Sequence, residues 1–550
     1  MQAHVVDAAP LIRGLCDQLE LVRIIDDMTE WDDHRAKLSP GQRIQALILG
    51  MFMRQRPLYR VHESFRRTDV ELLLGRGITL DDLNDDAFGH ALDKLYDAGA
   101  GAVFSALCAR VAVLEDVRRD FLHWDSTTRS VFGAYEQPSD EDAVHVTYGH
   151  SKAHRPDLKQ IVLTLLANRE GMPLWGTVEN GNASDKKLNG EVLDQIRAAF
   201  SAAEIRSLTY VADSAFATKE NLAKAAKIGL GFLTRLPETF SAGPQAKAKA
   251  WAEDRWVAIG KVAERREATT YQASEQEGEI GERRYRLVVY RSAQLEKRKE
   301  KALERDLVAE REELEAEAGR VTRHPFICRE DAEAQARAFV KVHADAFHAI
   351  EWEIVEEVVR DKRSGPGRPR RDEEPTYHTD YRLHLRVGAR KDEAIRQERE
   401  RRSAFVLVTT MSREQADARE LLMEYKQQGS IERRFAFMKD PEVVDSFFVK
   451  KPERVEALGY VLLMVCLLFS VLERRVRQTG RPLPTLSRKD VRNPTGLEIL
   501  RNLSVSVIEL DDGRRHLSVH TGFGPVFQAI MEMARVDVRV YTEVPRRSTA

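Results

Sequence analysis

The rhythm of apolar and polar positions changes several times along these 550 residues, and the changes mark out five stretches. Residues 1–118 carry helical spacing. Ser39-Pro40-Gly41-Gln42 reads as a capping box with proline at the first helical position, ahead of the apolar run Ile44–Phe52. A second helix start is expected at Thr79-Leu80-Asp81-Asp82, leading into Ala87–Leu95. From 119 to 238 the pattern turns to strands, at Phe121–Asp125, Val144–Tyr148, Gln160–Ala167 and Leu174–Val178. Asn168-Arg169-Glu170-Gly171 is the turn of a hairpin between the last two. A helix over Asp185–Phe200, a strand Leu208–Asp213, a helix Thr218–Ile228 closed by Gly229, and a strand Gly231–Leu236 follow. The sum is a mixed α/β sheet with Asp125 on its first strand and Asp213 on a later one.

Residues 239–402 interrupt that pattern with short strands (Tyr285–Tyr290, Glu351–Val358, Tyr381–Val387) and a highly charged helix, Ala293–Ala318. The only apolar stripe on this helix is Leu295, Leu303, Leu307 and Leu314. The α/β pattern resumes over 403–475. A strand Ala404–Thr409 precedes a helix capped at Ser412-Arg413-Glu414-Gln415 and running to about Gln427. A break at Gly429-Ser430, with Ser430 as cap, opens a helix carrying Glu432, and a buried helix spans 453–474. The remainder, 476–550, holds a hairpin across Asp511–Arg514 and a helix near Val526–Ala534.

Composition narrows the picture. Hydrophobic content of 43% with 32% charged residues suits a globular chain, and the net charge of −2 means that any nucleic-acid contact must come from local basic patches. Cys16, Cys108, Cys328 and Cys466 are scattered without a CxxC pair, which argues for reduced thiols in the cytosol and against structural zinc. The start, MQAHVVDAAPLIRG, lacks the pattern of a secretory signal, and the apolar run Ala457–Leu472 falls short of the roughly 20 residues of a membrane span. Basic groups at Arg54–Arg60, at Lys152, His154, Arg155 and Lys159, and at Gly367–Arg370 suit either DNA phosphate or solvated surface. Trp256 and Trp352 suit core packing ahead of stacking on an unpaired base.

One segment, Glu424–Pro441 (EYKQQGSIERRFAFMKDP), sets a carboxylate among polar companions: Tyr425, Gln428 and Lys439 around Glu432. At about 100° per residue, Ile431, Phe435 and Met438 form a core-facing stripe, and Glu432 and Lys439 share a neighbouring face. Asp125 and Asp213 each end an apolar run, where a sheet edge opens into a crevice. Either aspartate alone also suits a turn or a helix cap. Three such acids together could hold hard divalent cations.

On these residues the chain resembles the DDE transposases of bacterial insertion sequences, most nearly the branch with a Tyr-x2-Arg-x3-Glu-x6-Lys signature. Tyr425, Glu432 and Lys439 match three of its four positions, with Gln428 in place of the arginine, and HWDSTT, YGHSKAHRPDLKQ and YVADSAF resemble the family's other blocks. The resemblance implies a ribonuclease-H-like mixed-sheet core interrupted by a long α+β insertion, behind an N-terminal helical domain for DNA ends. It implies a catalytic, metal-binding triad of Asp125, Asp213 and Glu432 with two Mg²⁺ ions, for which Mn²⁺ can substitute. Tyr425, Gln428, Lys439, Lys152, His154, Arg155 and Arg434 are the DNA-binding candidates. The implied activity is cleavage at terminal inverted repeats and joining of 3′ ends to target DNA by a synaptic homodimer, with dimer contacts in 476–550, in a nucleoid-associated cytoplasmic protein without membrane partners. A catalytically inactive DNA-binding derivative and another ribonuclease-H-like endonuclease are the alternatives.

Overall fold

Strand Phe121–Val131 organises the first part of the sheet. It is longer than the sequence predicts, so Asp125 lies within it rather than at its end. The extension comes from Ser126–Val131, which pairs antiparallel with Lys159–Ala167 as far as Val131↔Lys159. On its other side the pairing is parallel and short: Phe121↔Thr209, Leu122↔Tyr210 and His123↔Val211. The strand order is Pro173–Glu179, Lys159–Ala167, Phe121–Val131, Thr209–Ala212, Gly231–Arg235. Parallel and antiparallel pairs make a mixed sheet, and helices Asp185–Ala199 and Lys219–Ile228 supply the crossovers that parallel neighbours need. In this computed structural model all residues are described except 33–35, 54–59, 136–141, 153–154, 263–267, 363–373, 440–448, 486–489 and 546–550; the side chains of Ser430, Phe437 and Lys439 also lie outside the description.

Two expected elements differ. Val144–Tyr148 is not a strand but a single bridge, Thr147↔Gln160. Lys159–Ala167 already has partners on both sides, and only the margin beyond Val162↔Glu179 is open to a third segment. The helix expected from Ser412 begins at Ala418, although the Ser412 N–H does donate to Gln415 Oε1 at 2.8 Å. The chain then breaks between helices Ala418–Lys426 and Gly429–Lys439. The Gln428 carbonyl already accepts from the N–H groups of Ile431 and Glu432, so Ser430 falls inside the first turn and is not its cap.

The chain divides into two compact units. The first comprises Met1–Arg235, Thr409–Gln415 and Glu420–Ala550; the second comprises Leu236–Val408 with Ala416–Arg419. The N-terminal helices are therefore part of the first unit and do not form one of their own. At its centre is helix Pro452–Gln478, long and apolar enough to cross a membrane but 94% buried over its apolar window. Phe52 stacks on its Phe469 at 5.5 Å, and its buried Arg475 pairs with buried Glu115 at 2.8 Å. Strand Gln2–Val5, unforeseen in the sequence, pairs antiparallel with Val505–Glu509, which continues into the hairpin with Arg515–Val519.

The second unit contains more regular structure than its charge pattern suggests. Strands Val257–Lys261, Thr270–Ile280 and Arg283–Arg291 run antiparallel. Helix Ala293–Val321 buries Leu303, Leu307 and Leu314. Helices Ala242–Glu253, Arg329–Val342 and Asp392–Ser403 were not legible, and strands His348–Arg360 and Tyr377–Arg390 form a long, largely exposed ribbon. Trp352 stands on that ribbon at 40% exposure, contrary to its expected core role. Trp256 packs edge-on against Trp251 at 5.1 Å, with the Arg291 guanidinium 4.1 Å over its ring.

Candidate active site

The parallel register is the first fact of the site. Partners on the two strands differ by a constant 88 residues (209 − 121), and 213 − 125 is also 88. Continued two residues past His123↔Val211, the register leads from Asp125 toward Asp213, which follows directly on strand Thr209–Ala212, and residues of one register row share a face. Both backbones are fixed. Asp125 Oδ1 accepts the Ser126 N–H at 2.7 Å, Asp213 Oδ1 accepts the Ala215 N–H at 2.9 Å, and the Thr234 hydroxyl donates to the Asp213 carbonyl at 2.7 Å.

The third acid arrives on helix Gly429–Lys439. Ile431, Phe435 and Met438 are buried at 0%, 4% and 1% exposure, as their stripe predicts, while Glu432 remains exposed in the first turn. Arg129 of the Asp125 strand reaches the Met438 carbonyl at 3.4 Å and ties helix to sheet.

Burial pushes the Asp125 carboxyl up to about 6. Lys152 and the Ser126 N–H oppose the shift, while the Asp213 and Glu432 carboxylates add to it. Burial, then the carboxylate of Asp185, raises Asp213 as well. The Tyr425 hydroxyl is pushed up to about 12, by burial first and then by Asp213, Glu432 and Asp125 against the pull of Arg235. Tyr425 therefore stays protonated at neutral pH and can only donate to, never repel, a phosphate oxygen.

The Asp125 shift has a stability consequence in the metal-free protein. The folded value lies above the unfolded one, so the folded state binds the extra proton, and stability falls as pH rises from about 4 through 6. A displacement of this size corresponds to about 3 kcal/mol. Asp125→Asn should therefore raise the melting temperature in EDTA at pH 7 to 8 and flatten its pH dependence across that window. Melting curves that show no such change would contradict the burial account.

Not every sequence candidate belongs here. Arg434 is 5% exposed; its guanidinium pairs with buried Glu473 at 2.5 Å and donates to the Gly171 carbonyl at 3.3 Å. It holds the Glu432 helix to the central helix and is not a DNA contact. Arg155 is on the surface, with both arms of its fork on Asp157 at 2.6 and 2.8 Å, and Lys159 caps the Tyr135 carbonyl at 2.9 Å, so each already has a local partner. Gln428 is half-buried at the turn between the two helices. His154 and the Lys439 side chain lie outside the described residues, as do Gly367–Arg370.

Two groups went unforeseen. Asp185, the first residue of its helix, accepts the Ser126 hydroxyl at 2.5 Å and faces the Lys152 ammonium at 3.1 Å, adding a fourth carboxylate. In sequence it reads as an ordinary acid in a first helical turn. Behind the site, fully buried His123 bonds Glu424 at 2.8 Å. Arg169 takes the other Glu424 oxygen at 2.7 Å while stacking 4.3 Å over Phe121. This network locks the helix that carries Tyr425 to the base of the Asp125 strand.

The donor set is oxygen-only and anionic, which suits a hard divalent cation, and an ammonium already lies among these oxygens. The fit is in chemistry more than in closeness. Among the described residues, His4, Asp69 and Glu509 are the one trio with ligand atoms within 4.8 Å of one another; the Asp125, Asp213 and Glu432 oxygens are set wider. Arg515 fills the tighter trio, 2.6 Å from Asp69 and 3.4 Å from Glu509.

Two family matches cover most of the chain. The transposase DDE domain matches residues 118–468, and a domain of unknown function (DUF4277) matches residues 1–109. No curated protein matches the sequence.

Proposed function

The chain belongs to the DDE transposase family, and on that premise we propose that it cleaves the terminal inverted repeats of a bacterial insertion sequence and joins their 3′ ends to target DNA. The observation that carries this reading is the parallel pairing that ends at His123↔Val211, two residues before Asp125 and Asp213, with Glu432 and Tyr425 in the same electrostatic neighbourhood. We assign Asp125, Asp213 and Glu432 to the metals. When bound, two Mg²⁺ ions supply activation of the attacking oxygen and neutralise charge on the leaving one. The chain's own residues do the rest. Asp125 and Asp213 follow two residues after the parallel pair His123↔Val211, and Glu432 approaches from a helix anchored by its apolar stripe and by Arg434. Tyr425 donates a hydrogen bond to the phosphate near the scissile bond, and Lys439 adds a positive charge. Gln428 donates without charge and without the bidentate fork of the signature's arginine.

The remaining assignments follow the same reading. Residues 1–118 bind the element ends, 239–402 form the insertion, and 476–550 provide contacts for a synaptic homodimer. The test is incubation of the purified chain with Mg²⁺ and DNA carrying the inverted repeats that flank its gene. Nicks at the repeat ends and joined products, both stopped by EDTA, are expected. Binding without cleavage would instead establish a DNA-binding derivative, and cutting without end preference a general endonuclease.

A further inference from the structure

We propose that Lys152 is a built-in counter-ion of the acidic site, occupying cation space between Asp125 and Asp185 in the metal-free protein and giving way when a divalent ion binds. This rests on the assignment of Asp125 to metal made above. The Lys152 ammonium is lined by oxygens: the Ser126 carbonyl at 2.9 Å, the Ser126 hydroxyl at 2.7 Å, Asp185 Oδ2 at 3.1 Å and Asp125 Oδ1 at 4.0 Å. An oxygen cage around one positive charge is what a small hard cation also seeks.

The lysine is placed there by the fold. Its own N–H donates to Thr128 Oγ1 at 3.0 Å, which pins the loop to the Asp125 strand three residues beyond the aspartate. Ser126 clamps the arrangement from within, donating to Asp185 while receiving Lys152. The two blocks HWDSTT and YGHSKAHRPDLKQ are thus halves of one ion-pair system. The lysine side chain is also 32% exposed, so its flexible stem has a way out to solvent. An ammonium so close to Asp125 opposes a second cation on the same carboxylate, because like charges a few ångströms apart repel strongly in a partly buried site.

The consequence is that DNA-free protein holds divalent ions weakly, and removal of the lysine's charge strengthens the hold. The test is Mn²⁺ binding to the DNA-free full chain, followed by electron paramagnetic resonance and calorimetry. Lys152→Met and Lys152→Gln should each bind Mn²⁺ at least about tenfold more tightly than the parent chain, and Lys152→Arg should stay close to it. Adding Asp125→Asn to Lys152→Met should abolish the gain. Unchanged or weaker Mn²⁺ binding in both neutral variants, with binding still sensitive to Asp125→Asn, overturns the counter-ion role and leaves the metal assignment standing. That pattern is also what a lysine serving only DNA or only stability predicts. Insensitivity to Asp125→Asn in every background overturns the metal assignment itself, and the counter-ion role with it.

Discussion

Asp125→Asn, Asp213→Asn and Glu432→Gln, each made alone, should lower Mg²⁺-dependent cleavage of element ends by on the order of 10³-fold or more. Each amide keeps the size of its acid but loses the charge and half of the oxygen donors. Asp125 and Asp213 are half-buried, and the strand pairing just before them, ending at His123↔Val211, is backbone that neither substitution touches. The loss should therefore appear in turnover and not in folding, which circular dichroism and melting curves check. For Asp125→Asn the metal-free protein should even melt higher at neutral pH. Activity near the parent level in any one of the three would remove that residue from the proposed triad.

Arg434→Met should destabilise the protein by about 3 kcal/mol, read from denaturant or thermal unfolding, because it leaves the buried Glu473 carboxylate short of a partner. Arg477, 3.1 Å from the same carboxylate, and the Gly496 N–H at 2.7 Å keep the loss from being larger. Cleavage should fall too, since Arg434 stands two positions from Glu432 and fastens its helix to the centre of the unit. Affinity for non-specific DNA and its dependence on salt should stay unchanged in folded protein. A reduced salt dependence would restore Arg434 to the DNA surface.

The misreading of Arg434 shows what local pattern can and cannot reveal. Glu432 and Arg433 beside it are exposed, and nothing within the helix marks the third charge as buried; its partner is 39 residues away on another helix. Asp185 was hidden in the same way, as was its ion pair with Lys152, because both depend on loops that the sheet brings together. His123 and Glu424 are separated by 301 residues. By contrast, the apolar strands with their aspartates and the stripe under Glu432 are written in neighbouring residues and were readable, and the break expected at Gly429-Ser430 falls just before them, at Gln427-Gln428. The equal spacing of 88 sat in the sequence as well, but it acquires meaning only once the two strands are known to run parallel.

The pairing of Gln2–Val5 with Val505–Glu509 bears on how such a chain is made. The partners lie about five hundred residues apart, so during synthesis Gln2–Val5 must wait, unpaired, until Val505–Glu509 has emerged. Loop-closure entropy is a slight burden at such lengths, but the delay is not. For that interval the growing chain carries an unpaired strand and, after residue 478, a long apolar helix whose full surroundings are unfinished. Ribosome pausing or truncation before residue 505 should thus leave an aggregation-prone product, and holdase chaperones should engage this protein until Val505–Glu509 has emerged.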